Sequence, residues 1–137
     1  MINALNSAVS GLVTQSTKIS VGALNISNAD VEGSTDPQAM RQAYQARDVE
    51  AISTTHDSVT GSVRPEVRIR EPATTIAYDP TSQYADDEGF VNVPNVSLTQ
   101  ETTNNIVASQ AYKANAQIIS VVQDMNEALL DAVDTKA

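Results

Sequence analysis

SLTQETTNNIVASQAYKANAQIISVVQDMNEALLDAVD, residues 97–134, is the stretch that decides how this chain folds. Val107, Ala111, Ala114, Ile118, Val121, Met125, Ala128 and Ala132 succeed one another by steps of four and three. That spacing predicts one apolar stripe along a long helix. Ala108, Tyr112, Ile119, Val122, Leu129 and Val133 form a second stripe beside it. Gln110, Lys113, Gln117, Ser120, Asp124, Glu127, Asp131 and Asp134 make a polar line opposite both. Pro94 closes the preceding segment, and Ser97-Leu98-Thr99-Gln100 reads as a capping box with Ser at the N-cap and Gln at N3. Such a helix is roughly 55 Å long. A globule of this size does not need that length, and a double-width apolar face asks for more than one neighbouring helix.

The other end of the chain carries a matching period. Ile2, Leu5, Val9, Leu12, Ser16, Ile19, Ala23 and Ile26 step by three and four and predict a second helix with a coiled-coil-like seam, ending near residues 28–30. Its remaining faces are Ser, Thr and Asn, with Lys18 the one charge before Asp30. Those residue types and two glycines make a poor isolated helix. Gly11 and Gly22, eleven residues apart, lie on one side of it and offer a strip for close backbone approach. A helix this neutral on every face reads as one buried in an assembly.

All five prolines fall between the helices. Loop, four short strands and turns are expected there. The strands are 49–53, 63–70, 74–78 and 90–93, with turns at 56–61 and 86–89. Val63, Pro65, Val67 and Ile69 alternate with Arg64, Glu66, Arg68 and Arg70, and Pro65 suits a sheet edge. The division expected is a helix over 1–29, a β-rich insert over 30–96 and a helix over 97–137. The fold class is mainly α with a β insert, the two terminal helices forming a coiled-coil-like antiparallel hairpin. In that hairpin the seam from Ile2 to Ile26 would meet the stripe from Val107 to Ala132, and the stripe containing Ile119 would be left for neighbours.

The chain has 17 acids against 8 bases, a net charge of −9, which argues against nucleic acid or anionic membrane as the main partner. No cysteine means no disulfide framework and no thiol chemistry. No apolar run approaches a membrane span, and no cleaved secretory signal is visible. His56 reads as a turn histidine rather than a general base, because no strained serine elbow accompanies it. Asp86, Asp87 and Glu88 before Gly89 read as a turn, since the spacing of a Ca²⁺ loop is missing. Arg64, Arg68 and Arg70 read as salt-bridge partners for an acidic insert rather than a phosphate site. No catalytic, cofactor or metal site is expected.

Leu24-Asn25-Ile26-Ser27-Asn28-Ala29-Asp30 resembles the motif ending the first helix of the flagellar rod and hook family. Gly89-Phe90-Val91-Asn92-Val93-Pro94-Asn95-Val96, followed by Glu101, is similar to the block before that family's last helix. Ala108-Ser109-Gln110-Ala111-Tyr112-Lys113-Ala114-Asn115 resembles the motif within it, with Gln110 where an Arg is usual. With Tyr78-Asp79-Pro80 and the turn from Ala85 to Gly89, the likeness is to the FlgC-type proximal branch of the flagellar basal-body rod family. The resemblance implies a structural subunit of the axial drive shaft, in the periplasm, exported through the flagellar type III apparatus. Its partners would be copies of itself, other rod proteins and the adaptor at the export gate. Contacts between subunits are expected from Ile2, Leu5, Val9, Leu12, Ile19, Asn25, Ile26 and Asn28 of the first helix. From the second helix they are expected from Val107, Ala111, Tyr112, Asn115, Ile118, Ile119, Val122, Met125 and Leu129. The alternatives are another axial protein, disfavoured as a hook or distal rod subunit by the short insert, and a soluble adaptor or export chaperone.

Overall fold

The computed structural model describes residues 2–56 and 59–134, with backbone alone at 54–56 and 59–61. Two helices bracket four strands. They are α1 (Ile2–Ser27), β1 (Arg47–His56), β2 (Val59–Ile69), β3 (Thr74–Tyr78), β4 (Phe90–Pro94) and α2 (Leu98–Asp134). The Ser97 hydroxyl accepts from the Gln100 amide at 3.4 Å, the N-cap contact the sequence called for. At its other end α1 closes on Asn28, whose amide and side chain both donate to Leu24 O.

The helices run antiparallel within one chain: Gly11 faces Asn115, Gly22 faces Asn105, and Asn25 meets Glu101. In this register α2, 37 residues long against 26, outruns the start of α1. The overhang is roughly nine residues, or about 14 Å. Leu12 lies at the level of Asn115, and Val121 is nearly two turns further along.

The insert is two separate two-stranded antiparallel sheets, β1–β2 and β3–β4. β1 and β2 pair from Arg47↔Ile69 to His56↔Val59, so both strands are longer than the apolar alternation indicated. Of the turn expected at 56–61, residues 59–61 belong to β2, and residues 57–58 and the His56 side chain lie outside the described residues. Tyr78 and Phe90 meet edge to face with centroids 5.5 Å apart across β3–β4. Gly33 bridges back to Asn92, tying the loop after α1 to that sheet.

Little is buried. Among the described residues the buried apolar side chains are Ala8, Val21, Ala43, Ala46, Val91, Ala108 and Val122. Most are alanines, so the hydrophobic term available to one isolated chain is small.

Candidate functional site

The insert is fastened to the helical hairpin by one polar cluster. Asn25, in the last turns of α1, is fully buried. Its Nδ2 donates to the Arg47 carbonyl at 2.8 Å and to Glu101 Oε1 at 3.2 Å. Its Oδ1 accepts from the Arg47 amide and the Tyr44 hydroxyl, each at 3.1 Å. All four hydrogen-bonding positions of the amide are therefore filled. Glu101, in the first turn of α2 where a carboxylate suits the helix dipole, is 4% exposed. It accepts at 2.6 Å from Arg70, just past the end of β2.

Arg70 is the hub. Its Nε and Nη2 grip Asp48 on β1, and its Nη1 donates to the Asn95 carbonyl at 2.8 Å. The hydrogen bonds from Arg70 to Asp48 hold the guanidinium charged well beyond its ordinary range; burial opposes this and Glu101 adds to it. Five segments thus converge on three side chains: the end of α1, the start of β1, the end of β2, the link after β4 and the start of α2. Removing one partner of such a buried pair leaves the other charge unpaired, at about 3–5 kcal/mol. The chemistry positions segments; it offers no nucleophile or acid–base pair.

The hairpin contact itself is made of small and polar residues. A Cβ on Gly11 would stand 2.5 Å from Asn115 Nδ2, and one on Gly22 would overlap the Asn105 amide. Each glycine is a notch holding an asparagine from the facing helix. The Ser10 hydroxyl, on α1, accepts from the Val63 amide at 3.2 Å, which seats β2 on the helix.

The salt-bridge reading of the arginine face holds. Arg68 pairs with Glu50 and Glu66, both at 3.0 Å, and Arg64 lies 3.9 Å from Glu66. In the acidic turn, the Asp86 carboxylate accepts from the amides of Glu88 and Phe90 and from the Thr35 hydroxyl. Among the described residues no cluster of potential metal ligands occurs. No helix there is long and apolar enough to cross a membrane.

Residues 87–132, from the acidic turn through β4, Asn95 and Glu101 to the far part of α2, match the family model described as flagellar basal body rod FlgEFG protein C-terminal. The chain is 32% identical over 127 residues to flagellar basal-body rod protein FlgC of Escherichia coli O6:H1, covering 91% of this chain and 92% of that one. Against the FlgC of Yersinia enterocolitica the identity is 33% over 127 residues, with the same coverage. The chain belongs to the FlgC family of flagellar basal-body rod proteins. The FlgC of Buchnera aphidicola from Acyrthosiphon pisum is also similar, 29% identical over 130 residues. As a member, the chain is a structural subunit of the proximal rod.

Within this family member, the residues expected at subunit contacts divide in two. Asn25 lies inside the clasp, Asn28 caps its own helix, and Asn115 fills the Gly11 notch. Val122 is buried and Ile119 half-buried, on the α2 face that carries Glu101, Ala108 and Asn115. The face that meets α1 is therefore not the first stripe. Ala108, Ile119 and Val122 of the second face α1 of the same chain, while Val107, Ile118, Val121 and Met125 of the first are 59, 45, 55 and 54% exposed. Ala111 is half-buried at the border. On α1 the correction is a rotation: Ala8, Thr14, Val21, Gly22 and Asn25 are the buried positions. Ile2 and Val9 are exposed, and Leu5, Leu12, Ile19 and Ile26 are half-buried. Tyr112 and Leu129 stay exposed, Tyr112 beside Leu12 and Val13. Sequence reasoning missed the joint role of Glu101, Arg70 and Tyr44. The available signal was a lone acid in the first turn of α2 and an arginine at the end of an alternating strand.

Proposed function

We propose that this subunit builds the rod by packing the exposed apolar stripe of its hairpin against neighbouring subunits. The terminal helices form the wall of an axial tube and residues 30–96 lie outside it. The observation that carries this reading is the row Val107, Ile118, Val121, Met125 and Leu129, each about half exposed or more along one α2 face. Contiguous apolar surface of that length marks an interaction surface. Ile2, Val9 and Leu130 are exposed as well, outside that row. Torque then passes through many small helix contacts, while the clasp keeps the insert in fixed relation to the tube. The partners are copies of this chain, other rod proteins and an adaptor at the export gate. Delivery through the flagellar type III export apparatus and a periplasmic position complete the proposal.

Ile118→Asp tests it. Ile118 is exposed in the single chain, so the substitution should leave the fold and the passage out of the cytoplasm intact. In the rod it would bury an unpaired carboxylate, at a cost of several kcal/mol. The expected result is loss of swimming, with the variant missing from purified basal bodies. Normal swimming would place this stripe in solvent and overturn the reading.

A further inference from the structure

The two halves of the insert differ in charge. Residues 47–70, which hold β1 and β2, carry four acids and four arginines. Residues 30–46 and 71–96, which hold β3, β4 and the loop tied to them, carry eight acids and one arginine. This second lobe therefore accounts for −7 of the chain's −9.

The same lobe has an open strand edge. On β4, Asn92 exchanges both its backbone bonds with Gly33, each at 2.9 Å. The Phe90 carbonyl accepts from the Asp86 amide at 3.0 Å, and the Phe90 amide donates to the Asp86 carboxylate at 2.8 Å. Asn92 and Phe90 thus turn their backbone groups away from β3. Ile76 and Tyr78, opposite them, are the non-hydrogen-bonded positions of the ladder. Their N–H and C=O groups point to the outer edge of β3. Among the described residues nothing bonds to these four groups, and no other strand or helix lies along β3. Thr74 to Tyr78 contains no charge and no proline, the residues that usually keep a bare edge from pairing. Ile76 and Tyr78 are 66 and 67% exposed, and they share one face of the sheet with exposed Phe90. Free main-chain donors and acceptors beside an apolar face are what an added strand pairs with.

We infer that the free edge of β3 takes an extended, basic segment of a different protein as an added strand. Main-chain bonds to Ile76 and Tyr78 hold the segment, and its alternate apolar side chains cover theirs. Its Lys and Arg residues answer the charge of the lobe, which draws them in and selects them. A second copy of this chain is the wrong occupant. Edge-to-edge pairing would set −7 against −7, and the one arginine-rich strand, β2, is already paired with β1. The surface is separate from the helical stripe and does not depend on the contacts proposed for it.

The test uses the full chain and a synthetic heptapeptide in which valine alternates with lysine or arginine. At low ionic strength the peptide should slow amide exchange at Ile76 and Tyr78 by about tenfold or more, with little change at Thr75 and Ala77, which are bonded to β4. The same peptide N-methylated throughout keeps its charges but has no N–H to donate, and it should not protect them. A version with glutamate at the basic positions should fail as well. Ile76→Pro removes an outward N–H, which an edge strand tolerates, so it should keep the Tyr78–Phe90 contact and weaken binding by about tenfold or more. Failure of the basic peptide to bind, equal binding by the methylated or the acidic peptide, or undiminished binding by Ile76→Pro overturns the inference. So does a chain that dimerises without peptide and protects Ile76 and Tyr78, which would assign the edge to a second copy.

Discussion

Asn25→Ala removes the centre of the clasp without touching a charge. Four hydrogen bonds of 2.8–3.2 Å disappear, two donated and two accepted. At a net value of about 1 kcal/mol each, the loss is about 4 kcal/mol. The half-buried Tyr44 hydroxyl can recover water, and alanine is the better helix former, so about 3 kcal/mol remains. With a urea m-value of roughly 1.5–2 kcal/mol per molar, the unfolding midpoint should fall by about 1.5–2 M. Circular dichroism at pH 7 reads it. Asn25→Asp sharpens the test. It keeps both accepted bonds but places a carboxylate oxygen where Nδ2 stands, 3.2 Å from Glu101 Oε1. Two like charges at that separation repel by about 5 kcal/mol at an effective dielectric of about 20. Arg70 offsets part of this, and the midpoint should still lie below that of Asn25→Ala. Adding Glu101→Gln should recover much of the difference. A shift under about 0.5 M for Asn25→Ala would refute the clasp. So would an Asn25→Asp variant as stable as Asn25→Ala.

The glycine notches and the acidic turn give two further tests. Gly22→Ala should cost about 1–2 kcal/mol by displacing the Asn105 amide, yet in an Asn105→Ala background it should gain up to about 1 kcal/mol of helix propensity. Thermal melts of the four-protein cycle decide it, and equal effects in both backgrounds would show that the notch is not occupied. The Phe90 amide, chiefly, holds the Asp86 carboxyl below its ordinary range, and the Thr81 hydroxyl does the same for Asp79. A lowered folded value means that the stabilisation of the 79–90 turn is fully present above the unfolded pKa of about 3.9 and is lost as pH falls through the lower folded one. An NMR titration of the Phe90 amide should therefore show its transition below pH 3.9, and a transition at or above that value would contradict the assigned hydrogen bonds.

Periodicity and turn residues were enough to place both helices and all four strands, because these depend on spacing along one segment; the antiparallel pairing followed from an insert that leaves and returns at one level. Periodicity was not enough to choose which face of α2 meets α1. Counting large apolar side chains selects Val107, Ile118 and Met125, and these are the residues left outside. The contact that forms is built from Ala8, Gly11, Gly22, Asn105, Ala108 and Asn115, small or amide side chains that let two backbones approach. Gly11 and Gly22 already pointed to a close-approach strip. Reading them against Asn105 and Asn115, ten residues apart on the facing helix, would have set the register too. The choice of face has a physical cause. A pair of helices joined by small residues needs few bulky apolar groups of its own, which frees the bulky stripe for contacts elsewhere. A chain that used Val107, Ile118 and Met125 to close its own hairpin would have offered a neighbour the face of Asn105, Ala108, Asn115, Ile119 and Val122 instead, with less bulky apolar surface to bury. The division of labour in α2, mostly amides and small residues inward with Ile119 and Val122, and most of the large aliphatics outward, is what a subunit needs if it is to be held together by a clasp and joined to others by hydrophobic contact.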